Sequence, residues 1–221
     1  MRAVGFKEFG DPEVLEVMDL PEVSAGPGEI RIKNYASAVN PTDIVSRSGL
    51  ISQFRKDFPL PSVPGMDISG IVDQVGEGVE TDISIGDKVM GMVIPNELHG
   101  AYREQITLNQ FAVVKAPEGY SFAESSTLPM NGLTARLSLD LLNLNKGQVV
   151  AVTGGPGAYG GYVIQLAKAD GLTVIADSNE NDIELLNELG VDHIIPRGEN
   201  FAEKIKEVFP EGVDGIADGA L

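Results

Sequence analysis

Short segments in which apolar and polar residues alternate dominate the first half of the chain. Gly and Pro separate seven predicted strands, several of which alternate in this way: residues 2–9, 14–20, 29–39, 68–76, 87–94, 101–108 and 111–117. Alternation of the kind seen in EIRIK, residues 29–33, is typical of strands with one solvated face. The pattern therefore predicts a compact β-rich domain that ends near residue 120.

From about residue 122 the apolar spacing changes to three and four, which predicts a helix interrupted at Pro129. Strands and helices then alternate, with strands at 148–154, 172–177, 193–196 and 213–218 and helices at 159–170, 181–190 and 201–209. Nearly continuous apolar strands in a β-α-β order indicate a parallel sheet covered on both faces. We therefore predict an α/β chain with domains at 1–120 and 121–221, joined at the PEGYS turn.

Charge and composition exclude several classes of partner. The chain has 221 residues, and 33 acidic against 16 basic side chains give a formal net charge of −17. This charge disfavours nucleic acid and anionic membranes. No stretch approaches the ~20 apolar residues of a membrane span, and the N-terminus lacks the apolar core of a signal peptide. The sequence thus predicts a cytoplasmic protein.

Residues 150–168, VAVTGGPGAYGGYVIQLAK, contain a G-x-G-x-x-G motif at Gly155, Gly157 and Gly160. A predicted buried strand precedes the motif and an apolar-periodic helix follows it, which is the context that dinucleotide binding requires. The three glycines would permit, in order, a tight turn, close approach of a pyrophosphate, and packing of the helix on the strand. No Lys-Ser/Thr pair follows, so the motif is not a nucleoside-triphosphate loop.

An acidic residue lies where a dinucleotide site would use one. Asp177 ends the second predicted strand of this half and is followed by Ser178. Its carboxylate would accept hydrogen bonds from the adenosine ribose hydroxyls. The alternative is that Asp177 is a helix N-cap or turn residue ahead of the next helix.

Six ordered motifs together resemble one family. They are NPTDIVSRSG (40–49), PSVPGMDISGIVDQVGEGV (61–79), IGDKVMGM (85–92), GAYREQITL (100–108), LPMNGLTA (128–135) and GGPGAYGGYVIQLAK (154–168). The chain resembles the medium-chain dehydrogenase/reductase superfamily, and within it the zinc-free quinone oxidoreductase and enoyl reductase branch. The resemblance implies a GroES-like substrate domain, a Rossmann domain, an active site in the cleft between them, and hydride transfer from NAD(P)H to a quinone or an α,β-unsaturated carbonyl.

The resemblance also implies roles for individual residues. Asn40 and Thr134 match positions that line the nicotinamide end, and residues 154–160 match the pyrophosphate turn, with Ala158 and Tyr159 at usually smaller or aliphatic positions and Gly154 at its start. Simpler alternatives stay open. Asn40 could open a turn before Pro41, Thr134 could cap a helix after Gly132, and Tyr159 could pack in the core instead of covering the cofactor.

The sequence assigns no metal site and no catalytic side chain. It has no cysteine, and its two histidines, His99 and His193, lack spaced partners, so zinc is not expected. Many zinc-free relatives have a tyrosine where this chain has Val45. Three neighbouring side chains are candidate proton donors but are more simply helix-surface residues: Asp43, Ser46 and Arg47.

Cofactor choice and completeness are two further predictions. Asp177 beside a 2′-phosphate would cost roughly 1 to 3 kcal/mol of binding free energy, which favours NADH over NADPH unless a basic residue such as Arg197 reaches the phosphate.

The chain resembles a sequence truncated at Leu221, and full-length relatives imply a homodimer. A non-catalytic nucleotide-binding or scaffold protein of the same fold is the alternative to a reductase.

Overall fold

The computed structural model describes residues 1–219. The chain folds as two compact units, Met1–Met130 and Asn131–Leu221. The division lies after residue 130, whereas the change of periodicity places it at about 120. The difference arises because the short helix Phe122–Ser126 belongs to the first unit, where Phe122 stacks on Tyr35 with ring centroids 4.7 Å apart. Leu221, where the sequence suggests a truncation, lies outside the described residues.

The first unit is β-rich, as the alternating pattern predicts. Strands β1 (Arg2–Gly5) and β2 (Glu16–Asp19) form an antiparallel pair, and the other strands are β3 (Glu29–Ala36), β4 (Asp67–Val75), β5 (Lys88–Met92), β6 (Gln105–Asn109) and β7 (Val113–Lys115). These five form one antiparallel sheet in the order β6-β3-β4-β5-β7. Two helices complete the unit, α1 (Pro41–Arg47) and α2 (Phe122–Ser126).

Residues two apart along the strands build the core of the first unit. Ile30 and Ile32 in β3 are fully buried, and so are Ile68 in β4, Val89 in β5 and Ile106 in β6. Burying each aliphatic side chain stabilises the fold by about 1.5 to 3 kcal/mol. The period of two in the sequence therefore reports directly which side chains face inward.

The second unit is a parallel α/β layer. Helix α3 (Pro129–Leu142), which belongs to this unit from residue 131 onward, begins at the proline that interrupts the predicted helix, because proline is tolerated in the first turn. The remaining elements are β8 (Val149–Thr153), α4 (Ala158–Ala169), β9 (Thr173–Ser178), α5 (Ile183–Glu188), β10 (His193–Pro196), α6 (Phe201–Val208) and β11 (Gly215–Asp218). The strands pair in parallel in the order β10-β9-β8-β11. Counted within this unit the order is 3-2-1-4, as in a Rossmann sheet.

Both faces of the parallel sheet are covered. Val150 and Val174 pack on one face, together with buried residues of α3, α4 and α5. Ala151 and Ile175 pack on the other face with Ile205 of α6. Nearly continuous apolar strands are the sequence signature of such a sheet, so this prediction is confirmed.

Candidate functional site

The turn between β8 and α4 brings backbone very close to backbone. The amide of Gly157 donates to the carbonyl oxygen of Gly154 at 2.9 Å, which closes the turn. A Cβ placed on Gly160 would lie 2.3 Å from that same oxygen, a distance that no side chain tolerates. The first turn of α4 therefore packs on the turn before it only because residue 160 is glycine.

The other two motif glycines face in different directions. Gly155 is buried, and a Cβ on it would lie 2.9 Å from the Cβ of Ala176 in β9. Gly157 is exposed, and a Cβ on it would meet a single neighbour, the Gly154 oxygen, at 3.1 Å. Gly155 and Gly160 thus serve packing inside the unit, whereas Gly157 leaves bare backbone on the outside.

The outer face of the turn has the properties of an anion site. Gly157 is the N-cap of α4 without a side-chain cap hydrogen bond, and Ala158, the first residue of this 12-residue helix, is exposed. The first amides of a helix and the positive end of its dipole attract phosphate groups. In an open parallel sheet, ligands bind beyond the carboxyl ends of the strands where the order reverses, and this turn follows the central strand β8. The residues present therefore fit a pyrophosphate.

Asp177 lies near the end of the neighbouring strand β9 and is hydrogen-bonded to the turn. It is 5% exposed; its Oδ1 accepts from the Gly155 amide at 3.2 Å and its Oδ2 accepts from Arg197 Nε at 2.6 Å. The hydrogen bond and charge of Asp177 raise the pKa of Arg197. The next short helix has Asn179, not Asp177, as its N-cap. Asp177 thus does not adopt the capping role that the sequence left open.

The remaining candidates of the second unit have structural partners. Tyr159 packs against the main apolar cluster, and its hydroxyl donates to Ser138 Oγ at 2.8 Å, as the core-packing alternative requires. Ser178 is buried and its hydroxyl donates to the Asn179 carbonyl at 2.6 Å. Thr134 is exposed in the interior of α3, which excludes the helix-cap alternative because the helix begins at Pro129.

In the first unit, Asn40 joins a buried polar network. It is the N-cap of α1, and its backbone amide donates to Asp43 Oδ2 at 2.8 Å. Its side-chain Nδ2 donates to Asp67 Oδ2 at 2.6 Å, and Asp67 Oδ1 accepts from the Met130 amide at 2.6 Å. Burial raises the pKa of Asp67, the charge of Asp43 adds to the rise, and the hydrogen bonds from Met130 and Asn40 oppose it.

The three proton-donor candidates all have backbone partners. Asp43 is buried, not a surface residue as the sequence suggests, because its Oδ1 accepts from the Gly65 amide at 2.9 Å and its Oδ2 from the Asn40 amide. Ser46 donates to the Thr42 carbonyl at 2.9 Å, and Arg47 donates to the Gly10 carbonyl. Each of these three side chains is therefore already hydrogen-bonded to a backbone group.

The surroundings of both histidines are consistent with structural roles. Burial, reinforced by the charge of Arg103, lowers the pKa of His99, and His193 meets the ring of Phe209 edge-on at 5.2 Å. Within residues 1–219 no group of three or more His, Asp or Glu side chains is arranged to hold a metal ion. Over the same residues, none of the helices combines the length and apolar character needed to cross a membrane.

Comparison with known proteins identifies the family. The model of the alcohol dehydrogenase GroES-like domain matches residues 26–135, and the model named zinc-binding dehydrogenase matches residues 158–220. The structure of the quinone oxidoreductase from Coxiella burnetii is 32% identical with a TM-score of 0.81, and the match covers 99% of this chain and 68% of that one. The chain belongs to the medium-chain dehydrogenase/reductase superfamily. Its relatives place it in the quinone oxidoreductase and enoyl reductase branch.

Two curated members of this superfamily show how much of a relative the chain matches. The synaptic vesicle membrane protein VAT-1 homolog of Rattus norvegicus is 31% identical over 99% of this chain and 53% of its own length. The chloroplastic NADPH-dependent alkenal/one oxidoreductase of Arabidopsis thaliana is 30% identical over 99% of this chain and 57% of its own length. The chain thus spans a little over half the length of these relatives.

Sequence reasoning missed Asp67 and Tyr102. Asp67 holds Asn40, and the Tyr102 hydroxyl donates to Asp43 Oδ2 at 3.0 Å. Both residues lie inside quoted family motifs, PGMD and GAYR, yet no local spacing relates them to Asn40. A signal was present in the Asp67 position itself, because a carboxylate at the start of an apolar strand needs a buried partner.

Proposed function

We propose that this chain acts as a metal-independent reductase that binds NAD(P)H at the turn between β8 and α4 and reduces a quinone or an α,β-unsaturated carbonyl. The observation that carries the proposal is the N-terminus of α4 after the central strand, where Gly157 and Ala158 are exposed and no side-chain hydrogen bond caps the helix. The family and the substrates printed in the names of its relatives support the acceptor class.

The protein's own residues have limited tasks in this reaction. When bound, reduced nicotinamide would supply the hydride. The turn would hold the pyrophosphate through backbone amides, and Asp177 would hold the adenosine ribose. Asn40 and Thr134 are proposed as nicotinamide contacts on the strength of the resemblance. We assign the accompanying proton to no side chain, because Asp43, Ser46 and Arg47 already have partners.

The cofactor choice depends on a pair of residues rather than on Asp177 alone. A lone carboxylate would disfavour the 2′-phosphate of NADPH, and the sequence therefore favours NADH. Arg197 lies 2.6 Å from Asp177 and its side chain is 42% exposed. Its guanidinium offsets the carboxylate charge, and a planar guanidinium can bind phosphate through two nitrogens at once. We propose that the chain accepts NADPH as well as NADH, and that Arg197 faces the 2′-phosphate.

Steady-state turnover tests the proposed function. Purified protein mixed with NADH or NADPH and a quinone or an enone should oxidise the nicotinamide at a rate that saturates with both substrates. Saturable cofactor binding without turnover on any acceptor would favour the non-catalytic alternative, for which the valine at position 45 is the supporting observation.

Metal independence is a separate prediction. Treatment with a chelator should leave turnover unchanged, and elemental analysis should find no stoichiometric zinc. With no cysteine in the chain and no clustered histidines among the described residues, bound zinc would lack its usual ligands. Stoichiometric zinc, or activity lost on chelation, would contradict the proposal.

Homodimer formation and a cytoplasmic location stay predictions. Sedimentation of the purified protein at several concentrations tests the first, and localisation of a tagged full-length protein tests the second.

A further inference from the structure

The first unit contains a cavity that is separate from the turn after β8. Its volume is about 450 Å³, within the range of about 300 to 1,000 Å³ that is usual for small-molecule sites. The residues that line it come from the strand pair β1–β2, from the segment after β3 and from the segment before β6. All of them lie within Met1–Met130, so the cavity is formed by one unit alone.

Three valines give the cavity an apolar wall. Val4 in β1 lies directly opposite Val17 in β2, and Val39 follows β3. Val17 is 68% exposed and Val39 is 73% exposed. Clustered apolar side chains that stay open to solvent mark binding sites, because a ligand that covers them removes apolar surface from water.

One arginine of the lining, Arg103, has no carboxylate beside it. Its Nη1 donates to the Leu98 carbonyl at 3.0 Å, and its Nη2 lies 3.8 Å from the Met1 sulphur, a weak acceptor. Its Nε is buried without a hydrogen-bond partner. Across the part of the chain that the structure describes, no Asp or Glu forms an ion pair with this guanidinium.

The pKa of Arg103 reflects this isolation. Burial lowers it. Hydrogen bonds with carboxylates instead raise the pKa of Arg2, Arg136 and Arg197. A partly buried cation without a counter-ion is costly, so an anion that reaches Arg103 would be bound favourably.

The other two charged residues of the lining neutralise each other. Glu104 accepts hydrogen bonds from the backbone amide of Arg2 at 2.7 Å, from its Nε at 2.8 Å and from its Nη2 at 2.6 Å. The lining therefore keeps one uncompensated positive charge, in a chain whose formal net charge is −17. One planar guanidinium matches the shape and the single charge of a carboxylate. The nearby charge of Glu104 would oppose a doubly charged phosphate.

We propose that this cavity binds a small apolar molecule that ends in a carboxylate, with the carboxylate on the Arg103 guanidinium and the apolar part against Val4, Val17 and Val39. The proposal does not rest on the proposed function, because every residue it uses lies in the first unit and none belongs to the turn after β8.

Octanoate and 1-octanol are matched probes, because they share a chain length and differ in the charged head. Calorimetric titration of the purified protein, without nicotinamide, should give a dissociation constant for octanoate of about 1 mM or below, and octanol should bind at least about tenfold more weakly. In nuclear magnetic resonance spectra, octanoate should shift the methyl signals of Val4, Val17 and Val39, each assigned with its alanine variant.

Substitutions of Arg103 separate its charge from its bulk. Arg103→Met keeps an apolar stem and removes the charge, so octanoate should bind no more tightly than octanol. Arg103→Lys keeps a cation and should retain most of the preference for octanoate. Arg55→Met is the control, because Arg55 contacts Asn96 and does not line the cavity. It should bind octanoate as the wild type does.

Equal binding of octanoate and octanol by the wild type, or an undiminished preference in folded Arg103→Met, would overturn the proposal. If Arg103→Met does not fold, the preference of the wild type and the valine shifts decide by themselves. Valine signals that move with protein concentration but not with octanoate would show that a second copy of the chain covers the cavity, and would also overturn the proposal.

Discussion

The candidate sites of the two units are built from different materials. In the second unit the turn after β8 uses backbone, and its defining property is the absence of side chains at Gly155, Gly157 and Gly160. In the first unit the network around Asn40 uses side chains that come from separate segments and meet in the core. A backbone site is encoded within a few consecutive residues, whereas a side-chain network is encoded only by the complete fold.

The largest expected effect is on stability, and it distinguishes two adjacent glycines. A Cβ on Gly160 would lie 2.3 Å from a backbone oxygen, whereas a Cβ on Gly161 would lie 3.6 Å from the side chain of Leu189. Gly160→Ala should therefore lower the free energy of unfolding by about 2 to 4 kcal/mol. Gly161→Ala in the same helix should be neutral or slightly stabilising, because alanine favours helix. Equal stability of the two variants in urea unfolding would show that the turn is not as tight as the structure has it.

Cofactor choice tests the comparison of backbone and side-chain sites further. The side-chain pair of Asp177 and Arg197 is proposed to change which cofactor the backbone turn after β8 accepts. Arg197→Ser should weaken NADPH binding about tenfold and change NADH binding less than about threefold, since only NADPH carries the 2′-phosphate. Arg136→Ser removes a comparable arginine that is paired with Asp170 and serves as the control. Asp177→Ser should weaken binding of both cofactors. If neither variant alters either dissociation constant, the pair does not contact the adenosine ribose.

The smallest effect is a pH dependence of stability in the first unit. Burial raises the pKa of Asp67 above its unfolded value, so the folded state binds the extra proton. Stability should therefore fall as pH rises through the interval between the unfolded and folded pKa values, by about 1 kcal/mol or more if the interval exceeds one unit. Asp67→Asn should remove this component, and Asp73→Asn should retain it. An identical pH dependence in the wild type and Asp67→Asn would contradict the assignment.

The sequence predicted what local patterns encode. Periods of two and of three to four located the strands and helices, and the glycine motif located the turn together with Asp177. The division between the units differed because helix α2 packs on the antiparallel sheet, a tertiary contact that periodicity does not report. Asp43 was expected on a helix surface and is buried, because its oxygens cap α1 and bind the Gly65 amide. Asp67, Tyr102 and the ion pair of Arg197 depend on contacts between residues 20 to 63 positions apart along the chain.

Binding of NAD(P)H by Gly157→Leu tests the central claim most directly. Gly157 is exposed and has φ −72° and ψ 165°, a conformation open to any residue, and its Cβ would lie 3.1 Å from the Gly154 oxygen, so leucine should cost the fold about 1 to 2 kcal/mol. The same side chain would cover the backbone that the pyrophosphate approaches. We expect cofactor affinity to fall at least thirtyfold, with Gly161→Ala unchanged. Unchanged affinity in a folded Gly157→Leu variant would show that the phosphates do not bind at this turn, and would contradict the account.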